Sequence, residues 1–141
     1  MDSPALRPRL MTFRIAKFNT QNELSSATTG EVFFEMKPEI ELGLIKPAQS
    51  DGIFEAIATI RITGRATLKE SPNSLLAEFS AVYEARFKYP PDTTDAELSP
   101  RFEHEPHQYM LAAQAFPLAS SHFYQELTAM GFNVGNMPLG I

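Results

Sequence analysis

Three runs of apolar–polar alternation constrain this chain more than any other feature of its sequence. Val32, Phe34, Met36, Ile40, Leu42 and Leu44 fall on even positions, with Glu35, Lys37, Glu39 and Glu41 between them. Phe54, Ala56, Ala58, Ile60 and Ile62 stand opposite Glu55, Thr59, Arg61, Thr63 and Arg65. Leu75, Ala77, Phe79, Ala81, Tyr83, Ala85 and Phe87 stand opposite Glu78, Ser80, Glu84, Arg86 and Lys88. A period of two sends successive side chains to opposite faces of a strand, so each run reads as a strand with one apolar and one wetted face. A weaker first strand runs near 11–24, where Phe13 and Ile15 alternate and Phe18 breaks the phase as a β-bulge would. Proline cannot donate to a ladder, so Pro38 predicts a bulge or a sheet edge. Asp51-Gly52 and Ser71-Pro72-Asn73-Ser74 are turn signals between the runs. Consecutive strands with short turns predict a four-stranded antiparallel meander.

After residue 88 the pattern changes. Residues 89–106 form a long acidic connection holding Pro90-Pro91, Pro100 and Pro106, and Thr94-Asp95-Ala96-Glu97 inside it fits a capping box. Beyond Pro106, Phe116, Ala119 or Ser120, Phe123, Leu127 and Met130 follow steps of three and four, and Gly131 suits a helix stop. Pro117 predicts that this long C-terminal helix is broken there. Strands first and a helix after them make an α+β layered domain. At 141 residues the chain reads as one domain spanning 1–141, with 1–9 flexible.

Chemistry is scarce. With no cysteine, thiol catalysis, disulfides and thiolate metal sites are excluded. A net charge of −5 argues against nucleic acid as a partner. The acid and proline of Met1-Asp2-Ser3-Pro4 do not suit a signal peptide, and Pro106–Gln125, although uncharged, is too polar for membrane insertion. A cytoplasmic location is the default expectation. His104 and His107 are the one pair with metal-ligand spacing, and Pro106 between them matches no zinc motif. His122 beside Ser120 and Ser121 lacks the acid and oxyanion donors of a triad. No metal, no cofactor and no catalytic residue is expected. What remains is apolar surface: Ile53, Ile57, Leu76 and Val82 fall on the wetted sheet face, where neighbouring apolar side chains suit oligomerisation.

The order of segments resembles the SecB family of bacterial export chaperones across about residues 10–140. Met11-Thr12-Phe13-Arg14-Ile15 is similar to that family's first strand, and Met36-Lys37-Pro38-Glu39-Ile40-Glu41-Leu42 to its second. Leu75-Leu76-Ala77-Glu78-Phe79 is similar to its fourth strand. Ala115-Phe116-Pro117-Leu118-Ala119, followed by Gly131-Phe132 and Asn136-Met137, resembles its helix break and tail. The resemblance implies a holdase that needs no ATP, is assembled as a homotetramer (a dimer of dimers) and binds unfolded polypeptide clients in hydrophobic grooves for protein export. It places client binding at Phe34, Met36, Ile40, Leu42, Leu44, Phe132, Val134 and Met137. It places the oligomer interface at Phe13, Ile15, Ile53, Ile57, Val82, Phe116 and Phe123, and docking of the SecA translocase motor at Leu76 and Glu78. Met36 stands where the family has a groove tryptophan, and the neutral Asn22 and Ser26 stand where it has docking acids. The acidic segment from Pro91 to Leu98 looks more like the branch attached to toxin–antitoxin systems, which makes a dedicated antitoxin client the alternative to general export. An alternative of a different class is a small oligomeric ligand-binding protein or metal-dependent enzyme using His104 and His107.

Overall fold

The computed structural model describes residues 7–23, 32–49, 52–69 and 71–132, and of 71–74 only the backbone. Strands β1 (Arg9–Asn22), β2 (Val32–Ile45), β3 (Glu55–Leu68) and β4 (Ser71–Lys88) precede helices α1 (Asp95–Phe102) and α2 (Glu105–Ala129). Every strand pairing is antiparallel, and the sheet order is β1-β4-β3-β2. The meander therefore holds from β2 to β4, while β1 lies beyond β4, on the opposite edge from the strand that follows it. Alternation records which face a side chain takes and not which strand is its neighbour. What settles the neighbour is packing: beside β4, Phe13 stacks on Tyr83 at 5.7 Å and Phe18 meets Phe123 at 6.2 Å.

Register confirms the two faces. Directly paired residues share a face, so Leu42↔Ala58↔Ala85↔Phe13 and Ile40↔Ile60↔Tyr83↔Ile15 are rows of the inner, helix-covered face. β1 shifts register between Leu10 and Thr12 and again between Ile15 and Lys17. The second shift inserts Ala16 and returns Phe18 to the inner face, which is the phase break seen in the sequence. Pro38 sits in an unbroken β2–β3 register, tolerated because β2 is an edge. Ser71–Ser74 belong to β4 and not to a turn. The ladder steps from Thr67↔Leu75 to Leu68↔Ser71, so β4 accommodates the extra residues as an irregularity within the strand.

The connection after β4 is more ordered than a loop. The Thr94 hydroxyl accepts from the Glu97 amide at 3.3 Å and starts α1, whose Leu98 and Phe102 are buried. α2 buries a stripe of His107, Leu111, Ala115, Ala119, Phe123 and Leu127, each four residues on from the last, with Phe116 beside it. It runs uninterrupted through Pro117, so the expected break is reduced to one missing backbone hydrogen bond, the one an amide at 117 would give the Ala113 carbonyl. At its end the Phe132 amide reaches the Leu127 carbonyl and the Gly131 amide the Thr128 carbonyl, both at 3.0 Å, with Gly131 at φ 99. This is a Schellman cap, with Phe132 tucked into the core. Gly131→Ala should cost about 1–2 kcal/mol, the penalty of a Cβ at positive φ, read as a lower urea midpoint at unchanged slope.

Candidate functional site

α2 crosses the inner face of the sheet over β1, β3 and β4. β2, at the far edge, receives less cover. Phe34, Met36, Ile40, Leu42 and Leu44 lie on its inner face, half-buried and packed against the margin of the core. They form an apolar strip along an edge strand, about 30 Å long at 3.3 Å per residue. The strip's two ends differ. At one, Phe34 meets Phe132 edge-on at 5.3 Å. At the other, beyond Leu44, Lys46 bridges to Asp95 of α1 at 3.0 Å. The Ser99 hydroxyl and then Lys46 hold the Asp95 carboxyl below its usual range. In the middle, Gly64 of β3 lets Met36 lie flat, since a Cβ there would stand 3.1 Å from the Met36 side chain. Glu35, Glu39 and Glu41 project from the other face of β2, and Glu41 pairs with Arg61 at 3.1 Å.

α2 is fastened to the sheet by polar bonds that the sequence pattern did not reveal. The Tyr83 hydroxyl lies 2.8 Å from Nδ1 of His122, whose Nε2 faces the Glu126 carboxylate at 3.4 Å. A carboxylate only accepts, so a neutral imidazole that turns its Nε2 proton to Glu126 accepts the tyrosine's at Nδ1. The Tyr89 hydroxyl lies 2.6 Å from Nε2 of His107, with the two rings stacked 5.8 Å apart. Burial raises both tyrosines well above the ordinary phenol range, and a nearby Glu126 adds to it at Tyr83. Neither phenol is therefore an activated nucleophile. The Asn22 side chain donates to the Met130 carbonyl at 3.1 Å and holds the last turn. Asn22, read as a neutralised docking position, is here a helix anchor.

Several expected site residues have no free surface. Phe116 and Phe123 are 2% and 0% exposed, inside the chain's own core, where Phe123 packs on Phe18 and Phe79, so they offer nothing to a second copy. Phe132 is 4% exposed between Phe34 and Phe79, flooring the strip's end where a client-contacting side chain was expected. Leu76 is 7% exposed, which leaves Glu78 as the accessible half of the expected docking pair. Val134 and Met137 lie outside the described residues, as does Ser26. Phe13 is half-buried and Ile15 exposed, both near the free edge of β1. Ile57 is paired with Arg86, Val82 with Arg61 and Lys17, and Ile53 precedes β3. Charged side chains are thus interleaved with Ile57 and Val82 on the outer face, where Phe33 of β2 is also exposed. An open concavity of about 720 Å³ lies on that face, floored by Asn19, Gln21, Thr63, Arg65, Glu78 and Ser80.

The histidines do not form the pair their spacing suggested. His107 is buried against Tyr89, while His104 is the exposed N-cap of α2. Among the described residues no group of three His, Asp or Glu side chains is placed to hold a metal. No helix among them is long and apolar enough to cross a membrane.

No protein-family model and no curated protein matches this sequence. Among solved structures the chain is similar to the Mycobacterium tuberculosis SecB-like chaperone Rv1957, determined in complex with a ChAD peptide from the Rv1956 HigA1 antitoxin. The TM-score is 0.57 at 14% identity, over 96% of this chain and 88% of that one. The four-stranded antiparallel sheet with its long C-terminal helix is thus a SecB-like α+β fold.

Proposed function

We propose that this protein is an ATP-independent holdase chaperone that captures unfolded polypeptide on the apolar strip of β2. The observation that carries the reading is the asymmetry of cover: α2 lies over the other strands and leaves Phe34, Met36, Ile40, Leu42 and Leu44 half open on a sheet edge. An extended segment laid there meets side chains at every second position and an unpaired backbone edge, the combination used in strand addition. Each apolar side chain contributes roughly 1.5–3 kcal/mol when fully buried, so a few partial burials give micromolar, sequence-tolerant binding. The resemblance of the segments to the SecB family and the fold of Rv1957 favour the same reading. So does the bond of His107 to Tyr89, which counts against the alternative of a metal-dependent enzyme using His104 and His107.

Between clients, a dedicated partner is favoured over general export. The solved neighbour holds an antitoxin-derived peptide. Of Leu76 and Glu78, expected to dock the SecA motor, Leu76 is buried, and Asn22, which stands where the family has a docking acid, is committed to α2. A homotetramer, with a dimer as the smaller alternative, is part of the proposal. No Asp, Glu, Lys or Arg occurs from Pro106 to Gln125, and on that helix Tyr109 is 60% and Leu118 40% exposed. The edge of β1 adds exposed Met11 and Ile15. The chain should suppress light scattering by an unrelated, chemically unfolded protein at equimolar tetramer without nucleotide. Undiminished scattering would refute the holdase reading.

A further inference from the structure

The two tyrosine–histidine bonds fasten opposite halves of α2, and they differ in what surrounds them. In the C-terminal half, the carboxylate of Glu126 lies 3.4 Å from His122 and adds a second contact to the one Tyr83 makes. Asn22 holds the Met130 carbonyl just beyond. In the N-terminal half, His107 is buried in the first turn of α2, away from the water that would stabilise a positive charge. From β4's end it meets the phenol of Tyr89 and from α1 the ring of Phe102, and the cation of Arg101 is near enough to act on it through space. On its own helix it lies in the first turn, the positive end of the helix dipole. His104, Glu103 and Glu105, its charged or titratable neighbours in sequence, are exposed, and among the described residues the charge that acts on it is the cation of Arg101. Pro117 lies between the two fastenings, where the helix already lacks a backbone hydrogen bond.

We propose that α2 is a two-part latch, in which protonation of His107 releases the N-terminal half and the α1–α2 corner while the half beyond Pro117 stays fixed. Release uncovers Leu98, Phe102 and Leu111, toward the end of the sheet where Lys46, just beyond Leu44, bridges to Asp95 of α1. The direction follows from linkage. Desolvation, and secondarily Arg101, depress the His107 pKa in the folded chain. The unfolded corner therefore takes up the proton more readily, so the latch is closed above about pH 6.5 and weakens as pH falls through the depressed value.

Segment-resolved hydrogen exchange on the full chain between pH 7.5 and 5.0 tests this. The expected result is a loss of at least tenfold in protection factor over 105–116, with 118–129 nearly unchanged. His107→Gln, which keeps an acceptor for Tyr89 and cannot be protonated, should abolish the pH-dependent loss. Arg101→Gln, which removes the like charge and leaves the histidine, should shrink it. Equal loss in both halves would overturn the proposal, as would the same loss in folded His107→Gln. If that variant does not fold, an undiminished loss in Arg101→Gln does so instead.

Discussion

Phe123→Ala should destabilise the fold by about 3–5 kcal/mol, the usual cost of truncating a buried phenylalanine. The side chain is fully buried and meets aromatics from both β1 and β4, through Phe18 and Phe79. Its loss leaves a cavity that the sheet cannot close, because Ala77 and Ala81 flank Phe79 on the inner face of β4 and are too small to fill it. A domain of this size has roughly 5–15 kcal/mol in all, so the variant should lie near the threshold of folding at 37 °C. Denaturant titration followed by far-ultraviolet circular dichroism measures it. A cost below 1 kcal/mol would mean that α2 is not seated on the sheet as described.

The second large effect concerns binding. Ile40→Glu with Leu42→Glu should weaken capture of an unfolded polypeptide about thirtyfold and leave the fold intact. Both positions are already half-buried, so a client covers only the remaining half of each, worth about 1 kcal/mol apiece. About 2 kcal/mol lost corresponds to a factor of about thirty in Kd. The same exposure lets the new carboxylates reach water, and for that reason stability should change little. Fluorescence titration of a labelled unfolded chain reads the affinity, with circular dichroism as the fold control.

Much of the architecture was legible in the residues because a half-buried strand imposes its period on composition. Ile40 and Glu41, or Tyr83 and Glu84, declare their faces without any partner in view, and Gly131 and Thr94 announce the helix end and start by their own chemistry. The position of β1 was not legible. Its two bulges scramble the phase, and pairing with β4 depends on contacts such as Phe13 on Tyr83, seventy positions away. The persistence of α2 through Pro117 was hidden for a related reason: packing of Ala115, Phe116 and Ala119 on the sheet outweighs one lost hydrogen bond. For the site, the strip on β2 was visible, yet Phe123 and Phe132 were given to partners when they belong to the core. An aromatic on a helix face carries the same signal whether it packs on its own sheet or on another chain. The tyrosine–histidine fastenings had a partial signal, since Tyr83 on β4 and Tyr89 just past its end share a parity, but their partners' places depend on how α2 crosses the sheet.

The most direct test of the central claim is the methyl resonance map of the folded chain as an unfolded polypeptide is added. Binding on the β2 strip predicts that the methyl signals of Met36, Ile40, Leu42 and Leu44 shift or broaden in proportion to occupancy, while those of Ile57 and Val82 on the charged outer face stay in place. Perturbation of Ile57 and Val82 with the strip unmoved would contradict the account.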